Sequence, residues 1–443
     1  MHSDTLSDSS TSSKKPQTLT LFFMTTLYLG SQYVYDLPQA LQTQLQAPPL
    51  QLSFLQYDSL YSVYSFPNIF LPLAGGYILK LIGLRRGTII YALLVLFGQL
   101  LFTIGVMSHS YFWMICGRML YAVGSENLSV AQSVIATKWF SVRQLTYVLG
   151  WNQSIASLGG NLNIVLSPIF YEWTKALWFP CFIGTVVCLF SVFSAVGYNL
   201  LDRKLEQDST EYEEPVKCRD LKRVPKIYFG LSLLYVIFYL TFDGVTSNIN
   251  DQIHKRFGFS NSAAGQLTVI YYIQLILLPP LLGKMADKSG KRIHWVILST
   301  VLSGFALFLL GCLPEVKENG FIVIIPLILL GFCDAIFETV MWSCLLLAVE
   351  PGLAGVAYGF ATSGMNLFNV IGMSILGHIQ DSTNEKSFGY YYSQMFLTGV
   401  SAVSFVIACI VLLMDLKGDQ KLSLPGQEKV EDEILLPKSS MQL

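Results

Sequence analysis

The feature that most restricts this chain is a series of twelve apolar runs, at residues 18–36, 54–79, 88–107, 112–137, 146–170, 178–201, 227–248, 262–283, 293–312, 321–348, 354–379 and 390–414. A helix needs about 20 mostly apolar residues to cross about 30 Å of hydrocarbon, and the runs meet that length. The expected class is an all-α membrane protein with twelve transmembrane helices, its surface facing the lipid bilayer. Charge content agrees. Only 13% of the residues are charged, about half the roughly 25% of a soluble domain, so most of the surface faces something other than water.

Basic residues set the orientation. With the amino terminus in the cytosol, all but six of the 28 Lys and Arg residues fall on the cytosolic side. Lys175, Lys255, Arg256, Lys317 and Lys386 fall opposite, and Arg118 lies inside a span. A miscounted helix would scramble this asymmetry, so both termini are expected to be cytosolic. The longest internal polar stretch splits the spans six and six. The expected organisation is a cytosolic tail over 1–17, a six-helix half over 18–201, a cytosolic linker over 202–226, a second six-helix half over 227–414 and a cytosolic tail over 415–443. Transporters built from two six-helix halves place the substrate between the halves near the midplane.

Other classes find little footing. A net charge of −1 without a clustered basic face argues against nucleic acid as a partner. The eight cysteines form no CxxC pair and the five histidines are scattered, so neither a metal site nor a cofactor is expected. No Walker-type loop suggests nucleotide use, and no HExxH or GxSxG suggests an enzyme. A non-transporting receptor or scaffold on the same fold stays open, because fold does not fix function.

The loop after the eighth run reads Gly283-Lys-Met-Ala-Asp287-Lys288-Ser-Gly290-Lys291-Arg292. It matches the G-x-x-x-D-[RK]-x-G-[RK]-[RK] signature of the major facilitator superfamily at every defined position. An acid at a helix end can pair with bases or a helix dipole and latch a cytosolic gate. Gly283, Asp287, Lys288, Gly290 and Arg292 are therefore the candidate gating residues. The matching loop after the second run, from Gly75 to Gly87, keeps glycines with Lys80, Arg85 and Arg86 but has no acid. Pro67/Pro72 and Pro279/Pro280 stand in the second run of each half and can break helices where they bend.

Charges inside spans are expensive and so mark function. Arg118 and Glu126 lie in span four, Asp243 in span seven, and Asp334 and Glu338 in span ten. Glu126 sits near the middle of its span, where it can bind a substrate ammonium or shuttle a proton; the plainer alternative is a structural pair with Arg118. Asp334 and Glu338 are four residues apart and share a face, and two adjacent acids favour protonation of one, as in a proton-coupled carrier. A hydrated cavity wall is the competing account. Polar stripes run through Gln153, Ser157 and Gly160 in span five and through Thr362, Asn366 and Asn369 in span eleven. Such residues serve as interhelical glue or as ligand contacts.

Further stretches resemble one branch of the superfamily, the lysosomal dipeptide carriers called major facilitator superfamily domain-containing protein one. They include Gly30-Ser-Gln-Tyr-Val-Tyr35-Asp36-Leu-Pro38, Tyr64-Ser-Phe-Pro67-Asn68, Arg86-Gly-Thr-Ile-Ile90, Gly124-Ser-Glu126, Phe257-Gly-Phe-Ser260 and Ala357-Tyr-Gly-Phe360. The resemblance implies helices one, four, seven and ten around a central cavity, and facilitative or proton-coupled carriage of dipeptides or related zwitterions and cations. It implies that Glu126 takes the amino group of the small-molecule substrate. The arginine that the family uses for the substrate carboxylate falls on Ser157, so a cavity with extra acids suits cationic or neutral amines better than peptide carboxylates, with Arg118 as a substitute base. Tyr35, Ser157 and Asn366 complete the candidate substrate-binding set with Glu126, Arg118, Asp243, Asp334 and Glu338.

The tail reads Glu431-Asp-Glu-Ile-Leu435-Leu436, an acidic dileucine form of the kind clathrin adaptors bind. Glu431, Leu435 and Leu436 are expected to sort the chain to the lysosomal or endosomal membrane rather than the plasma membrane. The resemblance also implies a glycosylated accessory membrane protein around a monomeric transport unit; this chain's own non-cytosolic loops carry no Asn-x-Ser/Thr sequon.

Overall fold

The computed structural model describes residues 17–205, 224–314, 320–383, 389–418, 420 and 422–423. Most of the linker, the ends of both tails and the dileucine residues Glu431, Leu435 and Leu436 lie outside the described residues. What is described is helix joined by short turns, with no strand among these residues.

Nine of the expected spans are single helices. Span three is Leu84–Met107, span four Tyr111–Trp139, span five Leu145–Thr174, span six Trp178–Leu205, span seven Lys226–Thr246, span nine Arg292–Cys312, span ten Ile324–Leu347, span eleven Ala354–Ser382 and span twelve Tyr390–Lys417. The other three are broken. Span one is a helix over 17–27 followed by Leu29–Tyr35, Leu37–Ala40 and Gln42–Gln46. Span two is Phe54–Ser65 and Leu71–Ile82 around a 3-10 turn at Pro67–Ile69. Span eight is Asn261–Leu277 and Pro279–Ser289, bent by 46°. The last two breaks fall at the proline pairs, where a missing amide and a ring clash end the helical ladder.

Six of the described helices are long and apolar enough by themselves to cross a membrane, and the bent pair of span eight makes a seventh. Spans four, five and eleven are 29, 30 and 29 residues long, so polarity rather than length separates them from that set. They carry Ser, Asn, Gln and Gly on faces turned to other helices. Spans one and two are cut into pieces too short to count singly.

One helix, Ile249–Phe257, was read from the sequence as part of a loop. It begins with Asp251 in its first turn, ends with His254, Lys255 and Arg256, and stops at Gly258 in the left-handed region at φ 71°. Those are ordinary helix boundary signals, hidden in the short connection between spans seven and eight. Arg256 donates to the carbonyls of Leu310, Gly311 and Leu313 at 2.6–2.7 Å, satisfying the exposed carbonyl end of span nine.

Each half packs its own apolar core, one around Val95, Ala122, Leu128 and Ala195 and one around Leu234, Phe238, Leu307 and Phe337. Large apolar side chains such as Phe97, Phe193, Phe305 and Val406 stay more than half exposed on the outside, as a lipid-facing surface requires. The halves meet where span five crosses span eight and span two crosses span eleven. At both crossings the contact uses the ends of these spans that the basic residues assign to the cytosol.

Candidate functional site

Glu126 is built into the middle of the first half by the break in span two. The helix Phe54–Ser65 ends just after Tyr64, whose hydroxyl donates to Glu126 Oε1 at 2.6 Å. The 3-10 turn that follows carries Asn68, whose amide reaches the same oxygen at 3.5 Å. Both partners are neutral. Tyr64 stacks on Tyr121 with centroids 5.4 Å apart and meets Tyr35 edge-on at 5.0 Å. The carboxylate therefore sits against aromatic rings with no ion pair among the described residues.

Arg118, two turns earlier on span four, does not pair with it. Its guanidinium donates to the backbone carbonyls of Leu60, Val34 and Tyr35 at 3.2–3.3 Å and lies over the rings of Tyr61, Tyr64 and Tyr121 at 5.0–5.7 Å. Only 2% of the residue is exposed. Val34 and Tyr35 close a short helix of span one, so Arg118 satisfies carbonyls that the break leaves without intrahelical donors. This explains why a full charge is tolerated there.

The second half brings three further acids to the interior. Asn369 donates to Asp243 Oδ2 at 2.7 Å, and the Tyr271 hydroxyl donates to Asp334 Oδ2 at 2.5 Å. Glu338 lies one turn beyond Asp334 on span ten, and Trp342 follows one turn later on the same helix. Trp342 stacks on Tyr358 at 4.1 Å and packs against Tyr235 at 4.6 Å. The two halves are joined at the level of Glu126 by Asn366 of span eleven, which donates to the Asn68 carbonyl at 3.0 Å. Ser157 stands half-buried on span five, and no hydrogen bond among the described residues ties it to Glu126. The sequence had no way to nominate Tyr64, Asn68, Tyr271 or Trp342, because their role depends on which helices meet.

Of the candidate gating residues, Gly283, Asp287 and Arg292 come together at the crossing of spans five and eight. Asp287 accepts from the amides of Thr146 and Tyr147 at 3.3 and 2.8 Å, which are unpaired donors in the first turn of span five. Arg292 binds the same carboxylate at 2.8 Å and also donates to Thr146 Oγ1 at 3.0 Å and the Val142 carbonyl at 2.8 Å. An acid of one half thus sits on the positive end of a helix of the other. A Cβ on Gly283 would lie 2.4 Å from the Thr146 carbonyl oxygen, and one on Gly150 would lie 2.4 Å from that of Pro279. Only glycine permits this approach. Gly290, at φ 67°, ends the helix Pro279–Ser289, while Lys288 points outward and is exposed.

The first half repeats the packing but not the charge. Gly76 precedes Gly83 by the same seven residues that separate Gly283 from Gly290, and a Cβ on Gly76 would lie 2.4 Å from the Gly355 carbonyl oxygen of span eleven. Lys80 takes the place of Asp287 in this register. Arg85, in the place of Arg292, turns instead to Asp202 at the end of span six, at 2.5 Å. Asp202 is fully buried and also receives Lys138 and the Trp139 indole at 3.0 and 3.1 Å. Sequence reasoning placed Asp202 at the start of the solvated linker; the helix runs on to Leu205 and carries it inside.

Two helical halves with acids in their interior, in contact on one side where span five crosses span eight and span two crosses span eleven, are the features of a carrier. The chain belongs to the major facilitator superfamily, whose family model matches residues 19–250 and 231–436. It is 30% identical to the lysosomal dipeptide transporter MFSD1 of Mus musculus, over 90% of this chain and 86% of that protein. The Homo sapiens protein of the same name is 29% identical over 89% of this chain and 85% of the relative. Among solved structures, the transporter FucP in its outward conformation superposes with a TM-score of 0.68 at 15% identity, covering 90% of this chain and 99% of that one. A bacterial homologue of the iron transporter ferroportin in an outward-facing state gives 0.68 at 13%. The protein is a multi-pass membrane transporter rather than an enzyme.

Proposed function

We propose that this protein carries dipeptides, or related amino-acid-like molecules bearing an ammonium group, across the lysosomal membrane by alternating access. The observation that carries this reading is Glu126, an interior carboxylate whose donors among the described residues are neutral, one hydrogen bond from the Asn68–Asn366 link between the halves. A carboxylate without a cation in low dielectric is stabilised most by a cation that arrives with the substrate. The flanking tyrosines add cation–π attraction. The names of the relatives support the substrate class and the compartment.

The balance of charge favours cations over simple zwitterions. Arg118 is occupied by three carbonyls, and Arg292 is engaged at the cytosolic end of span nine, whereas Glu126, Asp243, Asp334 and Glu338 carry acids into the spans. Arg118 acts in this reading by holding spans one and two in place, and Ser157 and Tyr35 shape the wall. A proton-coupled mode has its own support in Asp334 and Glu338, two acids one turn apart. The dileucine residues Glu431, Leu435 and Leu436 would deliver the protein to lysosomes through clathrin adaptors.

The test is uptake of labelled neutral and cationic dipeptides into liposomes containing the purified chain, with and without an inward proton gradient. Glu126→Gln is expected to abolish flux while leaving the melting temperature unchanged. Full flux in that variant removes Glu126 from the mechanism. Loss of wild-type flux when the gradient is collapsed assigns coupling to the second-half acids, and equal flux assigns uniport. Replacing Leu435 and Leu436 by alanine is expected to move the protein to the cell surface.

A further inference from the structure

The end of span twelve turns back under the second half. Asp415, 2% exposed, accepts from the Leu422 amide at 3.2 Å and from Ser423 Oγ at 2.5 Å. Its carbonyl takes the amides of Gly418 and Gln420 at 3.0 and 3.2 Å. The side chain of Leu422 is 1% exposed and belongs to the apolar core of that half. The Leu422 carbonyl then accepts from the backbone amide of Arg292 at 3.0 Å. Arg292 opens span nine, so this amide has no acceptor within its own helix.

The consequence lies in what the other end of Arg292 does. Its guanidinium is the group that holds Asp287, Thr146 and the Val142 carbonyl across the seam between the halves. Tail and latch therefore grip one residue, the tail by its backbone and the latch by its side chain. Beside the tail lies a cavity of about 270 Å³ bordered by Pro225, Lys226, Ala348 and Met414, which leaves room for the tail to shift without dismantling the core.

We propose that Asp415, Leu422 and Ser423 form a strap that positions Arg292 and favours the state closed on the cytosolic side. These are positioning residues, acting on the gate through Arg292 and touching no substrate. Negative charge added at Ser423 would face the Asp415 carboxylate at hydrogen-bond distance and expel the strap. The strap thereby makes the gate sensitive to the charge of the juxtamembrane tail. The argument rests on the latch geometry and is independent of the solute carried.

The experiment uses the full chain with native cysteines replaced, and spin labels at Arg86→Cys and His294→Cys, two exposed positions on opposite halves near the gate. Pulsed electron-spin distances are measured in liposomes without substrate. The unmodified strap is expected to give mainly the short, closed distance. Ser423→Asp and Leu422→Ala are each expected to raise the open-to-closed ratio at least tenfold, Ser423→Thr to leave it unchanged, and Asp287→Asn to open the gate as a reference. A tail that only adds stability would lower the melting temperature and leave the ratio alone. That result in both Ser423→Asp and Leu422→Ala overturns the proposal. Failure of Asp287→Asn to open the gate overturns it too, since the strap would then have no latch to act upon.

Discussion

Gly283→Ala tests whether the crossing of spans five and eight sets the conformational balance. The added Cβ would lie 2.4 Å from the Thr146 carbonyl oxygen and 2.8 Å from both the Thr146 carbonyl carbon and the Tyr147 Cα. All three are backbone atoms and cannot rotate away. Restoring ordinary contact requires the helices to part by about 1 Å, since carbon atoms sit best at about 3.5–4.0 Å. Parting by that much stretches the bond from the Tyr147 amide to Asp287, now 2.8 Å, beyond useful length. Overpacking costs about 1–3 kcal/mol, and a lost charge-assisted hydrogen bond costs about 1.5–3 kcal/mol. The two overlap, because separation relieves the first by incurring the second, so a net 2–4 kcal/mol is reasonable. The cost falls only on the closed state. The open-to-closed ratio should therefore rise by a factor of about 30 to 1,000. Thiol labelling of a single cysteine placed in the cytosolic half of the cavity reads this ratio, and Gly265→Ala provides the control. Gly265 is on the same span with nothing within 4 Å of its added Cβ. Equal labelling of the two variants would refute the claim that this crossing closes the gate.

Other perturbations separate the roles assigned above. Arg118→Lys should lower the melting temperature while changing apparent substrate affinity little, because a compact ammonium cannot serve three carbonyls at once; a selective loss of affinity would make Arg118 a substrate ligand. Asp202→Asn should destabilise the first half by about 1–3 kcal/mol, a modest value because Arg85 and Lys138 are about one-third exposed and can rehydrate. Thermal melting in detergent checks it, and an unchanged midpoint would show that the buried cluster is dispensable. On the opposite face, burial alone would push the Asp251 carboxyl up, but hydrogen bonds from Lys255 and Tyr390 and the charges of Lys255 and His254 hold it below the usual carboxylate value. A depressed folded-state value contributes stability that is present above the unfolded value and lost as pH falls through the folded one. Docking of the helix Ile249–Phe257 should therefore be unchanged from neutral pH to about pH 5, which hydrogen exchange of its amides can follow; loss of protection in that window would contradict the assignment.

Much of this was legible from residues alone, for reasons that differ by feature. Spans are visible because hydrocarbon admits few charges, and the gate is visible because Gly283, Asp287 and Arg292 serve a local turn whose spacing survives in sequence. Glu126 stood out because an acid at mid-span is costly. The partners did not. Tyr64 and Asn68 reach Glu126 only because span two breaks after Ser65, and the proline pattern announced a break without saying what it would deliver. Arg118 was readable as unusual but not as a donor to Val34 and Tyr35, because Pro38 announced a break in span one without saying which side chain would reach the freed carbonyls. Asp202 was misplaced because a charge at the end of an apolar run reads as solvent-facing until the Arg85 and Lys138 side chains are seen around it.

These particulars give the two halves different jobs at the gate. The glycines Gly76 and Gly283 occupy the same register and make equally close crossings, so packing on the two seams is alike. Charge is not. At one seam Asp287 of the second half caps span five of the first, so opening must break bonds between the halves. At the other, Lys80 stands in that position of the sequence register, and Arg85 finds its acid, Asp202, in its own half. The charge-assisted bonds that Asp287 and Arg292 make to the opposite half lie where spans five and eight cross. Opening on this side must break those bonds, and the tail meets Arg292 at the same place. The asymmetry predicts that Gly76→Ala and Gly283→Ala carry similar packing penalties, but that salt weakens the closed state mainly through the Asp287 seam. Raising ionic strength should therefore narrow the difference in open-to-closed ratio between Asp287→Asn and the unaltered chain, while leaving the effect of Gly76→Ala unchanged. An equal salt response in both would mean that charge is shared across the two seams after all.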